Sequence, residues 1–530
     1  MVTRVISKKT VRGAQTKGAS PVPVSSSASQ RARKAAGQVQ KAVTTAVSAS
    51  LGLTGERMSR VDTAWLRMDS DANLMMIVGV WVIHPGVSYD DMAQRLQDRL
   101  LKYPRFTQKV VEDAAGATWV KDDAFDIARH LVVEQLPRGS AAKQQQALQN
   151  RLAALCSEPL DRQYPLWQFH LVENYKGGCA LIVRIHHCIA DGIALISVTQ
   201  SLVDGGSPPP ARKRRDAPIS GAEDWIAESL LKPLTKLTVK AVGMAGEGAA
   251  RSFDVMMDPQ KGVEKGVMGS VDVAKMAYQA VSDLAALALM TDDSPTGLKG
   301  TPGTTKRVAW CAPLPLAEVK AVGHALNCSI NDVLLSCVAG AIGQYLRDRG
   351  EEVRDKEIRA MVPVNLRPLE QAYKLGNQFG LAPLVLPIGL DNPVERVYEV
   401  RRRMAGLKGS MQPLLVFGLL AVAGLMVKPA QDALLSLFSK KTTAVMTNVP
   451  GPREKLKMCG ATVEEQLFWV PQSGTVGLGV SILSYGGGIQ FGVVSDAKLC
   501  PDPQSIIDQF EPEFNKLAMV TLMLPWGDAA

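Results

Sequence analysis

The most constraining feature of the sequence is a strongly apolar run at residues 179–185, CALIVRI, which ends in two histidines. The run predicts a buried strand, and the spacing of apolar residues over 193–202 predicts a helix. The short loop between them ends in Asp191-Gly192. Such a strand end, opening through a loop into a helix, is where α/β proteins place groups that face a ligand. The segment therefore predicts an α/β protein and a candidate site in this loop.

The two histidines are His186 and His187. Adjacent strand residues point to opposite sides, so the two side chains cannot easily share one role. Metal-binding histidine pairs usually lie three or four residues apart on a helix, so no metal site is predicted. Asp191 lies within reach of the loop backbone or a cation, and Gly192 permits a turn that other residues resist. A core histidine pair at a strand end is the structural alternative.

Two breaks divide the chain. The first begins at Asp204 and contains glycines, prolines and the basic run RKRR, which we interpret as an exposed linker rather than a nucleic-acid site. The second, rich in Gly, Pro and Thr, ends at Thr305. We predict an N-terminal lobe at 58–203, a helical linker at 204–305 and a C-terminal lobe at 306–526.

The excess positive charge lies at the N-terminus. Residues 1–50 contain nine basic residues and no acidic one, so the rest of the chain is neutral although the net charge is +9. We predict that residues 1–57 form a disordered basic extension. Such a tail suits an anionic polymer or an anionic lipid surface. A solvated leader without a specific partner is the alternative, and an organelle transit peptide ranks below both.

The remaining pattern alternates strands and helices. Strands are predicted at 74–83, 358–364 and 381–388, with a hairpin at 476–494 around Gly486-Gly487, and helices at 89–101, 144–156, 316–326 and 332–347.

No segment reaches the roughly 20 apolar residues that a membrane span needs. The nearest is residues 413–427, PLLVFGLLAVAGLMV, which predicts a buried or an interfacial helix. The eight cysteines form no C-x-x-C pair, which argues against a zinc ribbon or a redox dithiol. With no secretory core near Met1, we expect reduced thiols in the cytosol.

Several motifs together resemble one family. HHCIADG at 186–192 is similar to the HHxxxDG motif of the coenzyme A-dependent acyltransferases, a superfamily that includes peptide-synthetase condensation domains. PLW at 165–167, ND at 331–332 and NVPGP at 448–452 resemble the wax ester synthase/diacylglycerol acyltransferase family. Looser matches include Asp62 with Trp65, the segment 363–368, and GNQFG at 376–380. The resemblance covers about residues 58–525.

The resemblance implies a two-lobed α/β fold similar to chloramphenicol acetyltransferase, with mixed sheets, flanking helices and an active site between the lobes. It implies that His187 is the general base, since the second histidine has that role in the superfamily. Neutral imidazole takes a proton from an alcohol, whose oxygen then attacks the acyl thioester without a covalent acyl-enzyme. His186 supports the site. Asp191 is expected to pair with an arginine of the other lobe, for which Arg367 is one candidate.

Other residues are implied more loosely. Asn331 is a candidate oxyanion donor, with helix capping as the alternative. Trp167 either lines an acyl tunnel or packs in the core, and we favour core packing. The candidate substrate-binding residues are Pro165, Leu166, Trp167, Asp332, Thr447, Asn448, Pro450, Gly451 and Pro452.

The implied reaction is transfer of a long-chain acyl group from acyl-CoA to a fatty alcohol or a diacylglycerol, giving wax esters or triacylglycerol. Acyl-CoA is a co-substrate, and no cofactor or metal is expected. We expect a cytoplasmic protein, peripherally associated with a membrane or lipid inclusion, with no nucleic-acid partner. A homodimer is left open.

Two rival hypotheses stay open at this point. A condensation-type enzyme would take its acyl group from a carrier protein, although the chain has no carrier or adenylation segment. A non-catalytic coat protein of lipid inclusions would use the basic tail and residues 413–427 to bind lipid.

Overall fold

The computed structural model describes residues 55–113, 116–206, 290–367, 374–407, 412–426 and 428–523. The predicted N-terminal extension and most of the predicted helical linker lie outside these residues. The described part of the linker, residues 290–305, contains turns and extended chain rather than helix.

The chain forms mixed sheets flanked by helices, as predicted. The strands are β1 (Gly55–Arg57), β2 (Met76–His84), β3 (Gln108–Asp113), β4 (Gly116–Lys121), β5 (Leu131–Gln135), β6 (Trp167–Tyr175), β7 (Gly178–His186), β8 (Lys306–Trp310), β9 (Leu314–Pro315), β10 (Ile358–Asn365), β11 (Phe379–Leu386), β12 (Ala444–Pro450), β13 (Lys457–Met458), β14 (Ala461–Trp469), β15 (Leu478–Tyr485) and β16 (Gly488–Asp496). The helices are α1 (Arg60–Arg67), α2 (Tyr89–Asp98), α3 (Ala141–Ser157), α4 (Gly192–Leu202), α5 (Leu316–Ala325), α6 (Ile330–Asp348), α7 (Pro393–Leu407), α8 (Gln412–Ala423), α9 (Lys428–Ser439) and α10 (Gln504–Met523).

The first large sheet has the strand order β13-β14-β2-β7-β6-β5. Its central strands β2 and β7 are buried along nearly their whole length, which explains their near-continuous apolar sequences. Only β5 and β6 run parallel, and the other neighbours are antiparallel. A smaller sheet pairs β4 with β1 and β3.

The second large sheet has the order β11-β10-β12-β15-β16-β8, and β9 also pairs with β16. Helix α6 belongs to its core, because 14 of its 19 residues are buried. A helix that is apolar on nearly every side requires such an environment. The helix begins two residues before the predicted start, because Ser329 caps it.

The two lobes share strands, which differs from the predicted division at 58–203 and 306–526. Strands β13 and β14 come from the C-terminal part of the chain yet complete the first sheet beside β2. Periodicity identifies a strand but not its sheet, because that choice depends on side-chain packing between distant segments.

The apolar stretch at 413–427 forms most of helix α8, and the structure places it in the interior. Leu415, Val416, Phe417 and Leu420 are buried, and the helix packs against α1 and β11. Of the two predicted environments, buried helix is the one found. No single helix in the described part of the chain has the length and apolar composition of a membrane span. Two bent pairs of neighbouring helices meet that criterion when the two helices of a pair are combined.

A buried lysine connects the lobes. The Nζ of Lys306 donates to Oδ1 of Asn73 at 2.8 Å and to Oδ2 of Asp496 at 3.5 Å. The lysine and Asp496 are both fully covered. Removing one partner of such a pair leaves a buried charge uncompensated.

We expect Lys306→Met to lower the free energy of unfolding by about 3–5 kcal/mol, because Asp496 would keep its buried charge without the lysine. Urea denaturation followed by circular dichroism would measure the loss. The control is Lys121→Met, whose partner Asp123 is solvent-exposed and whose removal should change stability by at most ~1 kcal/mol. Equal stability of the two variants would contradict this role for Lys306.

Candidate active site

The histidine pair is held in place by the first sheet. His186 is the last residue of β7 and lies opposite Met76 of β2. Its backbone N–H donates to the carbonyl of Leu166 at 2.9 Å, and the N–H of His187 donates to the carbonyl of Met75 at 2.7 Å. Backbone hydrogen bonds at the end of β7 therefore position both histidines.

The His186 side chain stabilises the loop. Its Nδ1 accepts the N–H of Cys188 at 3.1 Å, so the ring proton lies on Nε2 and faces Oδ2 of Asp69 at 3.3 Å. Burial opposes ionisation of Asp69, but hydrogen bonds from His186, the Met75 N–H and Arg162 outweigh it and lower the pKa of Asp69 to about 2. This confirms the expectation that one of the two histidines faces structure.

The His187 ring lies between two aromatic side chains. Trp65 stacks on it with ring centroids 4.3 Å apart and an interplanar angle of 13°, and Phe379 lies at 5.4 Å. Burial disfavours the charged imidazolium and lowers the pKa of His187 to about 4, although the hydrogen bond with Asn377 opposes the shift. The imidazole is therefore neutral at physiological pH.

Asn377 determines which ring nitrogen of His187 carries the proton. Its Nδ2 donates to Oδ1 of Asp62 and to the carbonyl of His187, each at 2.7 Å. Because both partners only accept, this atom must be the amide nitrogen. The amide oxygen therefore faces Nδ1 of His187 at 2.8 Å and accepts its proton. Nε2 is left with a free lone pair and no hydrogen-bond partner among the described residues.

Asp62 lies behind Asn377. It belongs to helix α1, is fully covered, and accepts the backbone N–H and the Nδ2 of Asn377 on the same oxygen, at 3.0 and 2.7 Å. Burial raises the pKa of Asp62 to about 6, against the opposing effects of Asn377, Ser59 and the charge of Arg105. The structure thus forms a chain of contacts from Asp62 through Asn377 to His187.

Asp191 links the loop after β7 to the other lobe. Its Oδ1 accepts the N–H of Ala194 and caps α4. Its Oδ2 accepts Nη2 of Arg367 at 3.0 Å and the N–H of Gln378 at 2.8 Å. The expected ion pair with an arginine of the other lobe therefore exists, and Arg367 is the partner. The carboxylate is fully engaged in these contacts, which suits a structural role.

Gly192 does not make the turn that was predicted for it. The residue begins α4, and its φ lies outside the left-handed region that favours glycine. A Cβ added there would meet no atom within 4 Å. The prediction was wrong, because Asp191 makes the turn by capping the helix, and Gly192 instead borders open space.

The ND motif organises a helix start. Ser329, not Asn331, caps α6, and the carboxylate of Asp332 accepts the Ser329 N–H at 2.8 Å in a capping box. Asn331 is exposed and accepts Nδ2 of Asn448 at 2.9 Å. Neither residue of the motif forms a hydrogen bond with His187. The contacts of Asp332 are those of a capping box, and the capping alternative named the wrong residue, because Ser329 rather than Asn331 caps the helix.

The PLW motif packs in the core, as favoured. Trp167 is buried, donates its Nε1–H to the carbonyl of Phe106 at 2.9 Å and stacks on His130 at 4.4 Å. Leu166 receives the N–H of His186 and so supports the histidine pair. Pro165 is buried beside it. These contacts are those of core packing.

The NVPGP motif attaches the end of β12 to the hairpin of β15 and β16. The hydroxyl of Thr447 donates to the carbonyl of Val480, and Pro450 lies opposite Ser484. The N–H of Gly451 donates to the Ser484 carbonyl at 2.8 Å, and a Cβ on this glycine would lie 2.4 Å from that oxygen. The carbonyl of Pro452 accepts the N–H of Gly486. A glycine is needed at position 451 because the backbone of Ser484 approaches too closely for a Cβ.

Four residues that contact or support His187 had no role assigned from the sequence. Asp62, Trp65, Asn377 and Phe379 all lie in the looser motif matches, which was the available signal. Their separation along the chain hid the arrangement, because Asn377 is 190 residues from His187 and 315 from Asp62. Among the described residues, no group of three or more His, Cys, Asp or Glu side chains could hold a metal ion.

Comparisons with known proteins identify the family of the chain. Residues 58–334 match the family model "Wax ester synthase/diacylglycerol acyltransferase catalytic domain", and residues 375–518 match "WS/DGAT C-terminal domain". The Mycobacterium tuberculosis protein named "Probable diacyglycerol O-acyltransferase tgs1" is 26% identical over 475 residues, covering 88% of this chain and 96% of the relative.

Solved structures share the fold. The wax ester synthase/diacylglycerol acyltransferase from Marinobacter aquaeolei VT8 superimposes with a TM-score of 0.59 at 19% identity, over 88% of this chain and all of that one. The first condensation domain of the calcium-dependent antibiotic synthetase gives 0.55 at 14% identity, over 89% and 97%. These likenesses confirm the two-lobed acyltransferase fold. The two family matches together span most of the chain, which therefore belongs to the wax ester synthase/diacylglycerol acyltransferase family.

Proposed function

We propose that this acyltransferase joins the long-chain acyl group of acyl-CoA to the hydroxyl of a fatty alcohol or a diacylglycerol, with His187 as general base. The observation that carries the proposal is the contact of Asn377 with Nδ1 of His187, which leaves Nε2 able to accept a proton. A general base needs an unprotonated nitrogen within reach of the substrate hydroxyl.

The acyl group passes directly from coenzyme A to the acceptor oxygen, without a covalent acyl-enzyme. Nε2 removes the proton of the acceptor hydroxyl while its oxygen forms a bond to the thioester carbonyl carbon. The tetrahedral intermediate collapses with cleavage of the C–S bond. The coenzyme A sulfur leaves as a thiolate and takes the proton back from the imidazolium. The products are an ester and free coenzyme A, and the reaction requires no cofactor.

The low pKa of His187 supports this role in one respect. At physiological pH nearly every molecule holds the base in its neutral form. The same burial makes the imidazolium that forms during the reaction expensive, so the site must stabilise it. The stacked face of Trp65 is one source of such stabilisation.

We expect His187→Ala to lower kcat by about 10²–10⁴-fold, since no other group would take the proton from the acceptor hydroxyl. Ester formation from radiolabelled palmitoyl-CoA would measure the loss, and circular dichroism would verify folding. The matched control is His324→Ala, because His324 lies exposed on α5 and should leave activity unchanged. A folded His187→Ala enzyme with full activity would overturn the base assignment.

The donor and acceptor are tested by a product panel. We expect palmitoyl-CoA with hexadecanol or dioleoylglycerol to give wax ester or triacylglycerol, detected by thin-layer chromatography. A palmitoylated carrier protein at equal concentration should give at most trace product. Preference for the carrier would favour the condensation-type alternative, and absence of turnover with every donor would favour the coat-protein alternative.

We also propose that the enzyme works at the cytoplasmic surface of a membrane or lipid inclusion, where diacylglycerol resides. Support comes from the end of α10, where Met519, Leu522 and Met523 are 64%, 73% and 82% exposed. Their spacing places them on one side of the helix. Exposed large apolar side chains that cluster together are typical of lipid or protein contact.

We expect Leu522→Glu to weaken binding to phosphatidylcholine vesicles containing diacylglycerol by at least about tenfold, because burying one leucine contributes roughly 1.5–3 kcal/mol and about 1.4 kcal/mol corresponds to a factor of ten. Vesicle sedimentation would measure the change. Val133→Glu adds the same charge at an exposed valine of β5 and should bind as the unchanged protein does. Equal binding of both variants would argue against the α10 surface.

A further inference from the structure

A carboxylate, Asp62, is buried behind the uncharged side chain of Asn377, which contacts His187. Asn377 is the residue that fixes the tautomer of His187. Asp62 accepts hydrogen bonds from Asn377 and none from His187 itself. We infer that Asp62 is a positioning residue whose negative charge stabilises the imidazolium of His187 through the amide of Asn377. The inference rests on the proposed base role of His187.

Hydrogen bonding alone does not require a carboxylate at position 62. Both donors of Asn377 reach a single oxygen of Asp62, and an amide oxygen in the same place would accept both. A charge buried without a contacting cation is costly, and perturbed buried acids of this kind cluster at functional sites. The nearby guanidinium of Arg105 is engaged by Glu56 and acts on Asp62 only at a distance.

The amide transmits the charge in the required direction. A carboxylate that accepts from Nδ2 polarises the amide, which increases the negative charge on Oδ1. That oxygen faces the Nδ1–H of His187, whose positive charge grows as Nε2 takes the substrate proton. In a buried site this attraction is screened much less than in water. Asn377 also keeps Asp62 from contacting His187 directly. A direct contact would favour a permanently charged imidazolium.

Other charged groups near His187 are neutralised by their own partners. Asp69 is paired with Arg162, and Asp191 is paired with Arg367. Asp62 and Asp69 titrate in different pH ranges, because burial raises the pKa of Asp62 to about 6 while the hydrogen bonds to Asp69 lower the pKa of that carboxyl to about 2. His187 itself takes up a proton only near pH 4.

The sign of the expected pH effect follows from these values. Asp62 is negative above pH 6 and becomes neutral as the pH falls through that value, at which point the stabilisation of the imidazolium is lost. The kcat/KM of the unchanged enzyme should therefore fall below about pH 6, well before protonation of His187 removes the base.

The test compares the full-length enzyme with Asp62→Asn and Asp69→Asn, using palmitoyl-CoA and a soluble medium-chain alcohol from about pH 4.5 to 9. Asp62→Asn preserves the size and the acceptor oxygen but removes the charge. We expect it to lower kcat by about 10- to 100-fold at pH 8, with KM within about twofold, and to abolish the fall near pH 6. Asp69→Asn removes the acid beside the other histidine and should keep that fall.

Two results would overturn the inference. One is an Asp62→Asn enzyme with unchanged kcat and an unchanged fall near pH 6. The other is an unchanged enzyme whose kcat/KM stays level through pH 6, a measurement that does not depend on any variant folding. His187→Ala separates the two proposals, because an active His187→Ala enzyme removes the base assignment, whereas an inactive one beside a fully active Asp62→Asn enzyme removes only the role of Asp62.

Discussion

The amide of Asn377 makes three hydrogen bonds at the place where the two lobes meet, and the geometry of the site depends on them. It joins a residue of α1 to the loop after β7 while belonging itself to the segment before β11. Asp191 repeats this connection a few residues away by accepting from Arg367 and Gln378. Two buried polar residues thus hold His187 against the second lobe, and each of their side-chain oxygens and nitrogens has a hydrogen-bond partner, as buried polar groups usually do.

Burial has opposite consequences for the two ends of this chain of contacts. It lowers the pKa of His187 and so keeps the imidazole neutral, and it raises the pKa of Asp62 toward the physiological range. Both shifts arise because a low-dielectric interior disfavours charge. An enzyme that deprotonates a weakly acidic alcohol gains from a water-poor site, where the few fixed dipoles act strongly on the charge that forms during the reaction.

Most of the motifs that identify the family support the site rather than touch its chemistry. Trp167 packs against His130 in the core, and Asp332 caps α6. Gly451 allows two backbones to approach closely. These residues are needed because the loop after β7 can hold His187 in one orientation only if the strands and helices around it are rigid.

The sequence alone determined several of the strands and helices, among them β2, β7 and α6, and the position of the loop that contains His187, because periodicity and a seven-residue motif are local properties. The role of His187 as a base was implied only by the family resemblance. The sequence also indicated that His186 and His187 would differ, since neighbouring strand residues point apart. Only the tertiary structure decided that β13 and β14 complete the first sheet, that α8 is buried, and that Asp191 rather than Gly192 makes the turn. The partners of His187 belong to the same category. Asp62, Asn377 and His187 are far apart in the chain, and their contact depends on how the two lobes pack, which no local pattern records.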